Sequence, residues 1–402
     1  MQKEDFDVIV LGLGGMGSSA CFNLAQRGLS TLGIEQFGMA HALGSSHGKS
    51  RLIRKAYAEH PSYVPLLQRS YELWDELAAL SGEDLFHRTG LLYVGHATDS
   101  EMLRGVEASA AIHGLPIDHL TASDCLAKHP SFIVPEGYRA IFEADAGYIV
   151  VERAVAAFCT QAERHGAELH FNEQVLSWNS TGDGVTVTTN YGAYRAKKLV
   201  VAAGPWASSV LSDAALPLTV HRVPLFWYDV PARSVPSLNG MPCFGFDMPY
   251  GFIYGFPHTP DDGLKIAAHV VNEATAVASN DPANVDRTTF PASEEALVRK
   301  CIQSCLPCVP SPVPPRSTVT CMYTMSPDGH FILDYHPSHA NIVIAAGFSG
   351  HGYKFCPVVG EIIADLVQAK SSSYDFAFLR LHPTRWKDPH PASMSPRSRR
   401  AN

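Results

Sequence analysis

A short apolar run, Val8 to Leu11, breaks at Gly12 and gives way to a different period. Ala20 and Leu24 recur four apart, Gln26 and Arg27 are polar, and Gly28 closes the segment. The change from a continuous apolar run to a four-residue repeat predicts a buried strand followed by a helix. Farther on, Leu66, Leu67, Tyr71, Trp74 and Leu77 share one face of a helix starting near Tyr63. Leu91 to Val94 reads as a strand, Met102 to Ile112 and Leu120 to Lys128 as helices. Val151 to His165 is a helix with Ala154, Ala157, Phe158 and Ala162 inward. Short strands follow at 169–171, 174–178 and 185–187, and a buried one from Leu199 ends at Gly204. Alternation and aromatic content over 216–270 predict a large mixed or antiparallel sheet. Glu294 to Cys305 is a helix, Ser317 to Met325 and Asn341 to Ala346 are strands, and Phe355 to Ala369 is a strongly amphipathic helix. No internal repeat is visible. From Trp386 the chain turns to Pro, Ser and Arg, a composition that predicts a disordered tail over 386–402.

Strands of a nucleotide-type sheet are thus scattered along the chain with aromatic β-rich segments between them. The expected fold is α/β: a discontinuous Rossmann-like domain from 1–85, 150–215 and 317–385, with an inserted substrate domain. That insert, a mixed β-sheet plus helices, takes 86–149 and 216–316, and the active site is expected where the two meet. The 402 residues, 46% hydrophobic and 17% charged, suffice for two or three domains' worth of core. A net charge of −8 without a long basic stretch argues against a nucleic-acid partner. No apolar run approaches the roughly 18 residues a bilayer span needs. Glu4, Asp5 and Asp7 precede the first apolar run, which suits a buried strand and not a signal peptide.

The opening turn has chemistry of its own. Gly12-x-Gly14-x-x-Gly17 lies between strand and helix, and Glu35 ends the next apolar segment. Gly12 allows the tight turn, Gly14 lets backbone approach a pyrophosphate, and Gly17 lets helix pack on strand. The helix N-terminus offers unpaired N–H donors, and Glu35 can accept a bond from a ribose hydroxyl. A dinucleotide cofactor is expected. The nine cysteines, an odd number, suit a reducing compartment. Cys301-x3-Cys305-x2-Cys308 has the spacing of an iron–sulfur ligand set, but it runs into Pro307, Pro310, Pro312, Pro314 and Pro315. Three partly buried thiols at a helix end, with no metal, is the preferred reading.

Six stretches carry a wider likeness: Gly12 to Gly17 with Glu35, Gly44-Ser-Ser-His-Gly-Lys-Ser-Arg-Leu-Ile-Arg54, Thr89-Gly-Leu-Leu92, Gly263-Leu-Lys-Ile266, Cys321-Met-Tyr-Thr324 and Gly347-Phe-Ser-Gly-His-Gly-Tyr-Lys354. On these the chain resembles the monomeric sarcosine oxidase family, which includes pipecolate and N-methyl amino acid oxidases. The resemblance implies FAD joined by a thioether to Cys321, with Ser45, His47 and Arg51 near the flavin. It assigns the substrate carboxylate to Arg54 and Lys354, and oxygen activation to Lys265. Gly347, Gly350 and Gly352 would let backbone approach the ring ahead of the last helix, whose positive end favours a reduced flavin.

The residues set their own terms beside that likeness. Cys321 and Tyr323 alternate on one strand and should face the same way. Alternation puts Lys265, Ala267 and His269 on one face; by pattern alone that face is either solvated, the default, or turned inward. His269 and Tyr254 would then line the substrate side, and a bulky family position corresponds to Gly245 here, which implies a roomier pocket. The activity implied is oxidation of a secondary amine bearing a carboxylate, to an imine, with O2 reduced to H2O2. Alternatives are a dehydrogenase using another acceptor, a glycated amino acid oxidase and a non-catalytic flavin module. A monomer is expected. The C-terminal Arg-Ala-Asn is unlike a Ser-Lys-Leu-type peroxisomal address, which favours the cytoplasm.

Overall fold

Val8, Ile9 and Val10 are wholly shielded from solvent because strand Phe6–Leu11 lies inside an eight-stranded sheet covered on both faces. Val8 and Val10 join one apolar core, Ile9 and Leu11 another, as a continuous apolar run in a parallel sheet requires. The computed structural model describes residues 6–231, 240–310, 313–382 and 385–386. In the first sheet, Phe6–Leu11 pairs in parallel with Thr31–Ile34 on one side and Ala193–Val201 on the other. Glu168–His170 extends the first side. The start of Ala193–Val201 pairs with Gly184–Thr189, which pairs with Val175–Thr181, and its end pairs with His339–Ala346, which carries Ile332–His336.

Helix Gly15–Gln26 packs against helices Val151–Arg164 and Cys356–Val367. The approach to the last helix is close. A Cβ at Gly360 would stand 2.3 Å from Ser19 Oγ. Gly17 has the packing role read from its motif, since a Cβ there would stand 1.7 Å from the carbonyl oxygen of Gly12.

A second eight-stranded sheet runs in the order Ser317–Met325, Thr219–Tyr228, Leu264–His269, Gly251–Gly255, Cys243–Met248, Leu91–His96, Tyr138–Glu143 and Asp118–Leu120. It is mixed, with Cys243–Met248 parallel to Leu91–His96 and its other pairs antiparallel. Helix Ala292–Cys305 covers one face, and Cys301, Cys305 and Cys308 are buried in that core, more deeply than expected.

Strand Ser317–Met325 corrects the expected grouping of 317–385. It hydrogen-bonds along its whole length to Thr219–Tyr228 in the second sheet, while the strands after it return to the first. Alternation identifies a strand but not its sheet. The helix expected over Leu120 to Lys128 is also split. Thr121 accepts from the Asp124 N–H and Asp124 accepts from the Thr121 N–H, a capping box that starts helix Ala122–Lys128 just after strand Asp118–Leu120. Ser50–Ile53 is a strand of a small three-stranded sheet with Gly147–Val150 and Phe86–His87. The tail expected over 386–402 lies outside the described residues apart from Trp386. Among the described residues, no helix is long and apolar enough to cross a membrane.

Candidate active site

A cavity of about 1240 Å³ runs from the first glycine turn and Glu35, past Arg51 and Cys321, to Arg54, Tyr254 and His269. At its first end Gly12 has φ +87°, and a Cβ there would stand 2.7 Å from the Ala202 carbonyl oxygen, so glycine is required. Gly14 lines the cavity opposite Ser46, whose Oγ accepts from the Gly15 N–H at 3.0 Å. Glu35 is held by the N–H groups of Leu13 (2.9 Å) and Phe37 (3.1 Å), with His41 Nε2 3.3 Å away.

Midway, Cys321 and Tyr323 do face the same side, and both line the cavity. Arg51 Nη2 lies 3.2 Å from Cys321 Sγ and donates to the Ser45 carbonyl at 2.9 Å. The loop before Arg51 is anchored from below, where Glu152 accepts from Gly48 N (2.7 Å) and Lys49 N (3.1 Å). Tyr323 Oη lies 3.2 Å from His269 Nδ1 and 3.5 Å from Tyr254 Oη. Burial brings the His269 imidazole down to about 4, so this wall is neutral near pH 7.

Two cations share the Tyr57 ring. The Arg54 guanidinium carbon is 4.6 Å and Lys354 Nζ 5.2 Å from its centroid. Arg54 Nη2 donates to Glu59 Oε1 at 2.6 Å, while its buried Nε makes no hydrogen bond. Lys354 Nζ donates to the His351 carbonyl at 2.6 Å and lies 3.5 Å from Tyr57 Oη. Burial, and then Arg54, push the Lys354 ammonium well below the usual lysine range. Burial alone would raise Glu59, but Arg54, and behind it His351 and Lys354, pull it down to about 2. Glu59 is ion-paired with Arg54, and two cations clustered at one ring suit a further anionic group. The loop Gly347, Gly350, Gly352 also lines the cavity, immediately before helix Cys356–Val367.

Lys265 departs from the default suggested by alternation. It is 3% exposed, beneath the loop and outside the cavity lining. Its Nζ donates to the carbonyls of Gly48 (2.6 Å) and Ser50 (2.8 Å) and lies 3.3 Å from Ser50 Oγ. Phe256 and Trp227 flank it, 4.5 and 5.5 Å from their centroids. Burial, and then Arg51, lower its pKa well below the ordinary value, yet three oxygens around Nζ match the three donors of an ammonium. His47 is also buried outside the lining, its Nε2 without a hydrogen bond, and burial with Arg51 takes it down to about 3.

The roomier pocket expected at Gly245 is not formed there. Gly245 pairs with Tyr254 across the hairpin, and a Cβ on it would stand 2.5 Å from Phe252 Cζ and 3.2 Å from Tyr93 Cδ1. Phe252 fills the space, stacks on Tyr254 (centroids 6.4 Å apart) and itself lines the cavity. Glu59, Tyr57 and His351 were not singled out from sequence. His351 lay within a quoted motif, whereas Glu59 sits in a polar turn that carries no periodic signal.

Comparisons with known proteins agree with this geometry. The model of the FAD dependent oxidoreductase family matches residues 7–366. A monomeric sarcosine oxidase from Streptomyces avermitilis is 38% identical over 373 residues, 92% of this chain and 95% of that protein. An N-methyl-L-tryptophan oxidase from Salmonella dublin is 35% identical over 379 residues, 94% of this chain and 98% of its own. Among solved structures, NikD, an amino acid oxidase of nikkomycin biosynthesis, superposes with a TM-score of 0.80 at 25% identity, covering 94% of this chain and 98% of NikD.

Proposed function

The chain belongs to the FAD-dependent oxidoreductase family and, within it, to the monomeric sarcosine and N-methyl-L-tryptophan oxidases; from that membership we propose that it oxidises secondary amino acids, N-methyl or cyclic, at a carbon beside nitrogen. O2 is the acceptor and H2O2 the reduced product. The observation that carries this reading is the pair of buried cations, Arg54 and Lys354, with Glu59 ion-paired to Arg54, at the far end of a cavity that begins at a dinucleotide-type turn.

The residues fit FAD. Gly12 and Gly14 line the first end of the cavity with bare backbone, Glu35 presents a carboxylate to the same end, and Gly17 supports the turn from behind. Ser45, Arg51, Gly347, Gly350 and Gly352 would hold the flavin portion, with His47 buried behind them and Cys321 Sγ as its point of attachment. When bound, FAD supplies the acceptor for a hydride equivalent and passes the electrons on to O2. The two eight-stranded sheets are the cores of its binding domain and of the substrate domain, apart from the crossing strand Ser317–Met325.

Arg54 orients the substrate through two parallel bonds to its carboxylate and Lys354 adds a point charge. Glu59 holds the guanidinium in place until a substrate carboxylate competes for it. His269, Tyr254 and Tyr323 form a neutral wall around the amine, and desolvation there favours its free base and the lone pair that assists the transfer. The substrate carries both a carboxylate and a secondary nitrogen.

Arg54→Ala tests this assignment. Apparent affinity for carboxylate-bearing amines should fall roughly 10- to 100-fold, the worth of charged hydrogen bonds. Affinity for the same amines without the carboxylate should stay unchanged. Steady-state kinetics on matched substrate pairs reads both, and unaltered affinity for the carboxylates would remove Arg54 from the role.

A further inference from the structure

Three side chains outside the amine chemistry converge at another part of the cavity rim. Asp213 lies in the turn Ser212–Ala214, His336 ends strand Ile332–His336, and His339 begins strand His339–Ala346. The chain reverses over Pro337 and Ser338, leaving the two imidazoles side by side with centroids 4.8 Å apart. His336 Nε2 is 3.3 Å and His339 Nε2 3.7 Å from the same oxygen, Asp213 Oδ2. One donor atom from each residue lies within 4.8 Å of the others. Bonds of about 2.0–2.1 Å to a tetrahedral ion put neighbouring ligand atoms roughly 3.3–3.4 Å apart, so only small side-chain movements separate this arrangement from a coordination shell.

Burial adds to the spacing. His336 Nε2 is buried and faces Asp213 Oδ2 at 3.3 Å without good hydrogen-bond alignment. Trp178 stands edge-on to both imidazoles, with centroids 5.8 and 5.6 Å away, and its own Nε1 is tied to the Val210 carbonyl at 2.6 Å. The rings are therefore held in place. Asp213 and His339 reach solvent, their side chains 46% and 31% exposed, which leaves room for water ligands.

We propose that Asp213, His336 and His339 bind a divalent transition cation of zinc's class through two imidazole nitrogens and one carboxylate oxygen. Two nitrogen donors disfavour Mg²⁺ and Ca²⁺, which take oxygen shells. Binding has an identifiable cost. Ser338 N–H donates to His336 Nδ1 at 3.1 Å, and a metal on Nε2 places the imidazole proton on Nδ1. Losing that bond weakens binding by roughly tenfold at most. The ion ties the hairpin to the turn Ser212–Ala214 and stabilises the fold in proportion to its occupancy.

Calorimetric titration of the chelator-dialysed holoenzyme with Zn²⁺ tests the site, alongside melting temperatures with and without the metal. Wild type should take up an equivalent that raises the melting temperature. Asp213→Ala and His339→Ala should each weaken that equivalent by roughly tenfold or more and lose the zinc-dependent rise. Both side chains reach solvent, so the metal-free melting temperature reports whether each variant is folded. Zinc held equally well by either folded variant, as it would be if the thiols of Cys301, Cys305 and Cys308 were the ligands, overturns the proposal. So does a wild type that takes up no equivalent below roughly millimolar Zn²⁺. If one variant fails to fold, the other decides by the same two outcomes.

Discussion

Replacing Lys265 with methionine should slow reoxidation of the reduced enzyme by O2 by about two orders of magnitude, while anaerobic reduction by substrate keeps most of its rate. The first electron passed to O2 makes an anion. A fixed ammonium roughly 5 Å from it, at an effective dielectric constant of about 20, stabilises that anion by about 3 kcal/mol. Lys265 is fixed: two carbonyls and Ser50 Oγ surround Nζ, and Phe256 and Trp227 flank it. Methionine fits between the rings but leaves the Gly48 and Ser50 carbonyls without their donor, a stability cost of about 1–3 kcal/mol. Its melting temperature must therefore be recorded beside the rates. The pH dependence follows from the lowered lysine pKa: the ammonium exists below it, so reoxidation falls as pH rises through it, and that limb vanishes in the variant. Stopped-flow measurement of the two half-reactions separates the steps. Equal slowing of both would take the oxygen role from Lys265.

Cys321→Ala should release its flavin on denaturation, whereas the unaltered protein should stay yellow after unfolding. All nine thiols are buried, but only those of Cys321 and Cys356 line the cavity. Their surroundings differ. Cys321 Sγ has the Arg51 guanidinium at 3.2 Å. Burial pushes the Cys356 thiol well above its ordinary range. With attachment proposed at Cys321, Cys356→Ala should leave the colour on the unfolded chain. Acid precipitation followed by absorbance of pellet and supernatant checks both variants. Free FAD in the supernatant of unaltered protein would refute the tether.

Period and turn chemistry made the opening strand–turn–helix legible, because Val8 to Leu11 is covered on both faces and the turn needs glycine at Gly12. The alternation Cys321-Met-Tyr323 likewise gave the facing of both side chains. Period could not say which sheet Ser317–Met325 joins, since pairing with Thr219–Tyr228 is decided across about a hundred intervening residues. Nor could it show that Lys265 points under a loop, because the carbonyls that receive it lie more than 200 positions away. Gly245 misled for a related reason: its missing side chain is replaced in space by Phe252 from the neighbouring strand. Glu59 meets Arg54 from five residues away in a turn without a periodic signal, and Asp213 reaches His336 and His339 by tertiary contact.

The most direct test is anaerobic titration of the purified yellow protein with sarcosine, N-methyl aromatic amino acids, pipecolate, proline and glycated amino acids, each paired with its amine lacking the carboxylate. Bleaching of the flavin by a carboxylate-bearing secondary amine, and much weaker bleaching by its partner, is the result the paired cations Arg54 and Lys354 predict. A flavin untouched by every compound, or a protein that is colourless and takes up no FAD, would contradict it.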